Sequence, residues 1–148
     1  MSAPPVDGVT GAEGVAGVGG IEGVVGVGVD LCEVERMRAT LARTPTFRRR
    51  VFTAAECATC EQRRDPAERF AARFAAKEAV LKAMGLGIGA CRLADIEVVR
   101  AASGAPSLTL HGTAARLAAE RGITGWHVSL THTASMAQAL VVATRAVR

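Results

Sequence analysis

Aromatic side chains are nearly missing from this chain: they make up 3% of its 148 residues, with one Trp, four Phe and no Tyr. Single-stranded nucleic acids are held largely by bases stacked on aromatic platforms, so a nucleic-acid partner is disfavoured. Long apolar runs are missing too. No stretch approaches the roughly 20 apolar residues a membrane-spanning helix needs, and the N-terminus lacks the basic segment and apolar core of a secretion leader. The expectation is a cytoplasmic protein that engages no membrane. Cysteine is sparse, at four residues. Only Cys57 and Cys60 are closely spaced, and no second Cys or His pair completes a zinc site. No thioredoxin-like strand precedes them, so free thiols are expected.

What is present suffices for one folded domain. Apolar residues reach 49%, and the net charge is +4. A modest basic excess fits an acidic partner or an anionic substrate. Residues 1–23 are rich in Gly, Val, Ala and Pro without periodicity and read as a flexible tail, leaving 24–148 as the domain. Gly26 and Gly28 invite a dinucleotide-binding reading, but Leu31 stands where the third glycine belongs, so that pattern fails.

Residues 73–84 form the organising segment. They are Ala, Leu, Met, Lys, Glu and Arg for the most part, all strong helix formers. At about 3.6 residues per turn, Phe70, Phe74, Leu81 and Met84 share a face. Gly85 stands where a left-handed C-cap ends the helix. Lys77 lies within the apolar face, with Arg73 and Glu78 at its edges and Lys82 one turn beyond Glu78. One reading is a Glu78–Lys82 surface pair with a snorkelling Lys77. The other is a helix that carries a carboxylate and several cations to a cleft, where the amides of Gly85, Gly87 and Gly89 help to hold a polyphosphate.

Around this helix the pattern predicts α and β elements in mixed order. A strand covers 24–31, with Asp30 at its end as either a helix N-cap or a ligand; on this stretch alone the cap is the stronger reading. A helix follows over 33–43, stopped by Pro45. Three arginines, Arg48 to Arg50, stand between Phe47 and Phe52 as a solvated face or a docking surface for an acidic protein. Thr53 and Glu56 form a capping box for a helix reaching about Arg64. Asp65 caps the central helix, with Pro66 at its first position. Strands at 96–100 and 107–111 flank a Ser103–Gly104 turn. A short helix spans 113–121, and strands at 127–132 and 136–144 suggest a second hairpin. His127, Ser129 and Thr131 share one strand face, with His132 opposite or past the strand end; Thr133 adds a third hydroxyl. No GxSxG elbow supports a serine hydrolase.

Two separated carboxylates, Asp30 and Glu78, a basic helix, a glycine loop and a hydroxyl–histidine strand point to one class of chemistry. Mg²⁺ is commonly held by one or two carboxylates together with phosphate oxygens and water, whereas zinc wants grouped nitrogen or sulfur ligands. The class is Mg²⁺-dependent transfer of a phosphate-bearing group.

Three segments carry a resemblance. Residues 26–36 (GVGVDLCEVER), 69–79 with 82–89 (RFAARFAAKEA and KAMGLGIG), and 128–133 (VSLTHT) resemble, in order and spacing, the motifs of the holo-acyl-carrier-protein synthases, a group of 4′-phosphopantetheinyl transferases. The match spans about 24–145. The resemblance implies an α+β single domain, with an antiparallel sheet packed against a long central helix and shorter helices, assembling as a homotrimer with active sites between subunits. It implies transfer of 4′-phosphopantetheine from coenzyme A to a serine of an acidic acyl carrier protein, of fatty-acid or polyketide type, with release of 3′,5′-ADP. By motif match, Asp30 and Glu78 would bind Mg²⁺; Lys82 and the loop glycines Gly85, Gly87 and Gly89 would hold coenzyme A phosphates; Arg73 and His132 would line the same pocket; Arg36 and Arg43 would meet the carrier. The serine proton would go to Glu78, to a water acting through it, or to His132, with Glu78 or its water preferred. Leu86 replaces a common Thr in the loop, removing one hydroxyl. The rival reading is a degenerate homologue that only binds an acidic protein, against which both carboxylates argue.

Overall fold

Small residues decide where this chain is thickest and where it is thin. In the computed structural model, which describes residues 23–146, the central helix α4 (Ala67–Ala83) is buried on nearly every side. Its alanines are all buried, and Ala71, Ala75, Ala76 and Ala79 have no exposed surface. They admit a sheet on one side, while Phe70 and Phe74 meet Phe52 and Phe47 on another, at ring-centroid separations of 4.8 and 6.0 Å. The single apolar stripe expected from sequence is therefore too narrow. Phe70, Leu81 and Met84 are buried as expected, but so is most of the helix circumference.

The sheet under α4 has three antiparallel strands in the order β1 (Val24–Glu33), β5 (Met136–Thr144), β4 (Gly125–His132). Along β5, Ala137, Ala139, Val141 and Ala143 alternate inward and are fully buried, as a period of two requires. A separate hairpin pairs β2 (Ile96–Arg100) with β3 (Pro106–Leu110). Helices α1 (Val34–Arg43), α2 (Phe47–Val51), α3 (Ala54–Glu61) and α5 (Gly112–Glu120) complete an α+β domain. Residues 1–22, and with them nearly all of the expected tail, lie outside the described residues.

Close approach explains two glycines that suggested a nucleotide fingerprint. A Cβ added at Gly26 or Gly28 would run into the main-chain carbonyl of Ala83 or Ala79 on α4. These glycines let β1 lie directly against the helix backbone.

Local signals at the helix ends hold in the main. The capping box on α3 is formed in both directions, Thr53 Oγ1 accepting from the Glu56 amide (3.1 Å) and Glu56 Oε1 from the Thr53 amide (2.9 Å). Asp65 Oδ1 accepts from the Ala67 amide, with Pro66 already at helical angles. Gly85 has φ +72°, and the bonds Leu86 N–H to Leu81 O and Gly85 N–H to Lys82 O close the helix in a Schellman motif. The arginine run, for which no element was expected, forms a short helix, α2. Two expectations are corrected. The α3 helix ends at Glu61, short of Arg64. Asp30 does not cap α1, because β1 continues to Glu33, which takes the cap position while the Val34 amide bonds to Ser135 O.

Candidate functional site

With the cap role gone, Asp30 is a carboxylate held in the interior of β1 and presented to α4. Its Oδ1 accepts from Lys82 Nζ at 2.9 Å, and the same ammonium donates to Val29 O at 3.0 Å. Lys82 therefore pairs with Asp30 rather than with Glu78, which corrects the simple i,i+4 surface pair. The second carboxylate oxygen, Asp30 Oδ2, is buried with no hydrogen-bond partner. Glu78 is half-buried one turn before Lys82 on α4, and its carboxyl is pushed up to about 7, first by burial and then by the Asp30 carboxylate beside it.

Two crowded carboxylates with one orphaned buried oxygen make a site short of positive charge. The donors are all oxygens, which suits a hard divalent cation such as Mg²⁺. No group of three or more His, Cys, Asp or Glu side chains gathers among the described residues. Asp30 and Glu78 are the two residues that could hold such an ion, with phosphate and water as its other ligands.

Glu78 stands in a trough with Arg36 and Thr40 of α1, Phe47, Phe74 and the largely exposed Ile88 of the glycine loop. Past Phe47, Phe74 and Ile88 the trough continues to Arg49, Arg50 and Arg92. Arg43 is exposed in the last turn of α1, away from the trough lining. Gly85, Gly87 and Gly89 are all exposed. The amide of Gly85 is already spent on closing α4, so it does not face a ligand as the loop reading supposed.

A second cleft opens elsewhere, lined by Arg69, Arg73, Arg100, Pro106, Leu130 and His132. Arg73 is 4% exposed, and its Nε has no hydrogen-bond partner. The Arg69 guanidinium is pushed below its usual range, first by burial and then by Arg63, Arg100 and Arg73. His132, the last residue of β4, is exposed, with Nδ1 3.5 Å from Glu68 Oε2. Concentrated cationic charge with an unsatisfied buried N–H marks an anion site.

The chain thus brings Asp30, Glu78, Lys82 and Arg36 together in one region, and Arg73 with His132 in another. The cleft of Arg73 and His132 shares no lining residue with the trough of Glu78. Sequence reading missed Arg69 and Arg100. Arg69 was within reach, being one turn before Arg73 on the same helix; Arg100 arrives on the β2–β3 hairpin and has no local signal. Of the hydroxyls expected around His132, Thr133 Oγ1 accepts from the amides of Ser135 and Met136 and closes the β4–β5 turn, while Ser129 and Thr131 face outward. Lys77 does not snorkel; it is fully buried against Glu56.

Comparison with known proteins identifies the family. A family model described as the 4′-phosphopantetheinyl transferase superfamily matches residues 26–138. Proteins named holo-[acyl-carrier-protein] synthase are similar throughout: that of Frankia casuarinae is 52% identical over 117 residues, covering 79% of this chain and 94% of its own, and that of Moorella thermoacetica 44% over 115 residues, covering 78% and 90%. The crystal structure of a holo-(acyl-carrier-protein) synthase from Bacillus anthracis in complex with CoA (3′,5′-ADP) superposes with a TM-score of 0.70 at 31% identity, covering 84% of this chain and 99% of that one. The chain belongs to the 4′-phosphopantetheinyl transferase superfamily, and its relatives there are holo-[acyl-carrier-protein] synthases.

Proposed function

We propose that this enzyme transfers 4′-phosphopantetheine from coenzyme A to a serine of an acidic acyl carrier protein, releasing 3′,5′-ADP with Mg²⁺ as cofactor. The observation that carries the reading is the Asp30–Glu78 pair, with its orphaned oxygen, beside Lys82 and a trough rimmed by arginines. Bound by these two carboxylates, Mg²⁺ would neutralise charge on the donor diphosphate. Lys82 is exposed enough to reach a phosphate oxygen while still touching Asp30. The cluster of Arg69, Arg73, Arg100 and His132 suits the phosphates of the leaving nucleotide. As the serine Oγ–phosphorus bond forms and the bond to the 3′,5′-ADP oxygen breaks, the serine proton passes to Glu78, or to a water acting through it, at the wall of the trough. Transfer at phosphorus is mostly positioning and charge stabilisation, and the residues present supply both.

Because the two clefts are separate within one chain, a complete site calls for a second copy. The outer face of the sheet exposes Val27 (56%), Val29 (46%) and Leu31 (58%) on β1 and Leu140 (44%) on β5. A contiguous apolar strip of this kind suits subunit contact, and it supports the trimer. Light scattering should read the mass of three chains; a fully active single chain would end the shared-site reading.

The deciding experiment is incubation of the protein with coenzyme A, Mg²⁺ and an apo carrier protein. The carrier should gain the mass of one phosphopantetheine, and a carrier of unchanged mass refutes the transferase. Arg36 lines the trough from α1 and is its docking cation. Arg36→Glu should raise the KM for carrier protein by roughly tenfold or more, the scale on which reversing an interfacial charge acts, and leave the KM for coenzyme A within about twofold. The reverse ranking would remove Arg36 from the docking surface.

A further inference from the structure

The central helix carries a buried ion pair that neither cleft uses. Lys77 Nζ is 2.8 Å from Glu56 Oε1, donates to Leu93 O at 3.0 Å and also bonds Ile96 O. Its ammonium lies over the Phe52 ring, 5.4 Å from the centroid. Glu56 is equally occupied. Besides Lys77, its carboxylate accepts from the amides of Thr53 and Val98. Lys77 is 0% exposed and Glu56 2%. Four pieces of chain therefore meet at one charge pair: the start of α3, the middle of α4, the 3₁₀ turn at Leu93–Asp95 and strand β2.

Stability alone does not account for such a pair. Replacing a buried ion pair by apolar residues of similar volume is often neutral or stabilising. What the pair fixes is the placement of two elements that carry the site. On α4, Lys77 is the residue before Glu78, and Arg73 is one turn earlier. On the other side, the β2–β3 hairpin belongs to no larger sheet, and it delivers Arg100, Gly104 and Pro106 to the cationic cleft opposite Arg69 and Arg73. The bonds from Lys77 to Ile96 O and from Val98 N–H to Glu56 span the joint between helix and hairpin.

We infer that Glu56 and Lys77 are positioning residues that hold the β2–β3 hairpin against α4, and so set the width of the cationic cleft that takes the donor's phosphates. The inference rests on the transferase reading for its kinetic consequence, and on the fold alone for its structural one. An apolar substitute would fill the same volume but would supply none of the directional bonds by which Lys77 and Glu56 hold Ile96 O and the Val98 amide of the hairpin.

The test compares Lys77→Met with the double variant Glu56→Gln/Lys77→Met. The single variant leaves a buried carboxylate without its cation and should lower Tm. The double variant removes both charges and should recover Tm to the wild-type value. In the double variant the amides of residues 96–110 should nonetheless exchange with solvent faster than in the wild type. The KM for coenzyme A should stay raised by about tenfold or more, as expected when binding groups shift by a fraction of an ångström to an ångström. The KM for carrier protein should hold within about twofold, because neither strand of the hairpin lines the trough. A double variant with Tm, hairpin exchange and coenzyme A KM all at wild-type values would show the pair to be a structural contact only. Should the wild-type chain transfer nothing, the transferase reading fails, and hairpin exchange in the double variant still decides the role of the pair.

Discussion

Glu78→Ala lowers kcat/KM for phosphopantetheine transfer by on the order of 10³-fold, and Asp30→Ala does the same, because each removes one of two protein oxygens offered to the metal and so several kcal/mol of charge stabilisation in the transition state. Neither variant should unfold. Asp30 Oδ2 is buried without a partner, and the Glu78 carboxyl is raised by burial and by its acidic neighbour, so the free protein carries this pair at a cost. Removing one acid relieves that cost, as is common where a site is organised for a ligand rather than for the fold. Far-UV circular dichroism should be unchanged and Tm equal or higher. A binding readout separates loss of metal from loss of a proton acceptor. Added to protein already saturated with coenzyme A, Mg²⁺ should raise the Tm of the wild type further by mass action and leave that of both variants where coenzyme A alone put it. Undiminished transfer by either variant in the presence of Mg²⁺ would overturn the assignment of that carboxylate.

How far these residues were legible depended on the range of the interaction. Signals contained within one turn of chain read correctly: the Thr53–Glu56 box, Asp65 ahead of Pro66, Gly85 closing α4, and the two hairpins. Asp30 was misjudged locally, since nothing between Val29 and Val34 says where the strand stops; the stop is set by pairing of Glu33 with Met136 on β5. Lys77 could be seen to interrupt an apolar face, yet its partner Glu56 is 21 residues away. The cationic cleft was half visible. Arg73 and His132 belonged to recognisable motifs, but Arg100 reaches them only because β2 docks on α4. The outer face of β1 illustrates the same limit: Val27, Val29 and Leu31 look like core residues in sequence, and only the register with β5 shows them turned away from α4.

The same register makes Gly28 the position where a single added methyl group does most damage to the fold. Gly28 faces α4 from β1, and its missing Cβ leaves room for the carbonyl oxygen of Ala79. Overpacking usually costs about 1–3 kcal/mol because side chains can rotate away. Here the obstacle is helix backbone, already fixed by its own hydrogen bonds, so strand and helix must separate as units. Gly28→Ala should therefore cost more than about 3 kcal/mol, a large share of the roughly 5–15 kcal/mol that holds a typical domain together. The expected result is a Tm lower by about 10 °C or more, or recovery only as insoluble protein. Gly87→Ala is the control. It lies in the loop with open space around the added carbon and no positive φ, and its Tm should match the wild type, with a change within about 0.5 kcal/mol. Because Asp30 is two residues along β1 from Gly28, separation of strand from helix would also draw the two carboxylates apart. Any soluble Gly28→Ala protein should then lose the Mg²⁺-dependent rise in Tm together with its activity. A stable Gly28→Ala variant that keeps both would show that β1 does not press on α4 as closely as the contact with Ala79 requires.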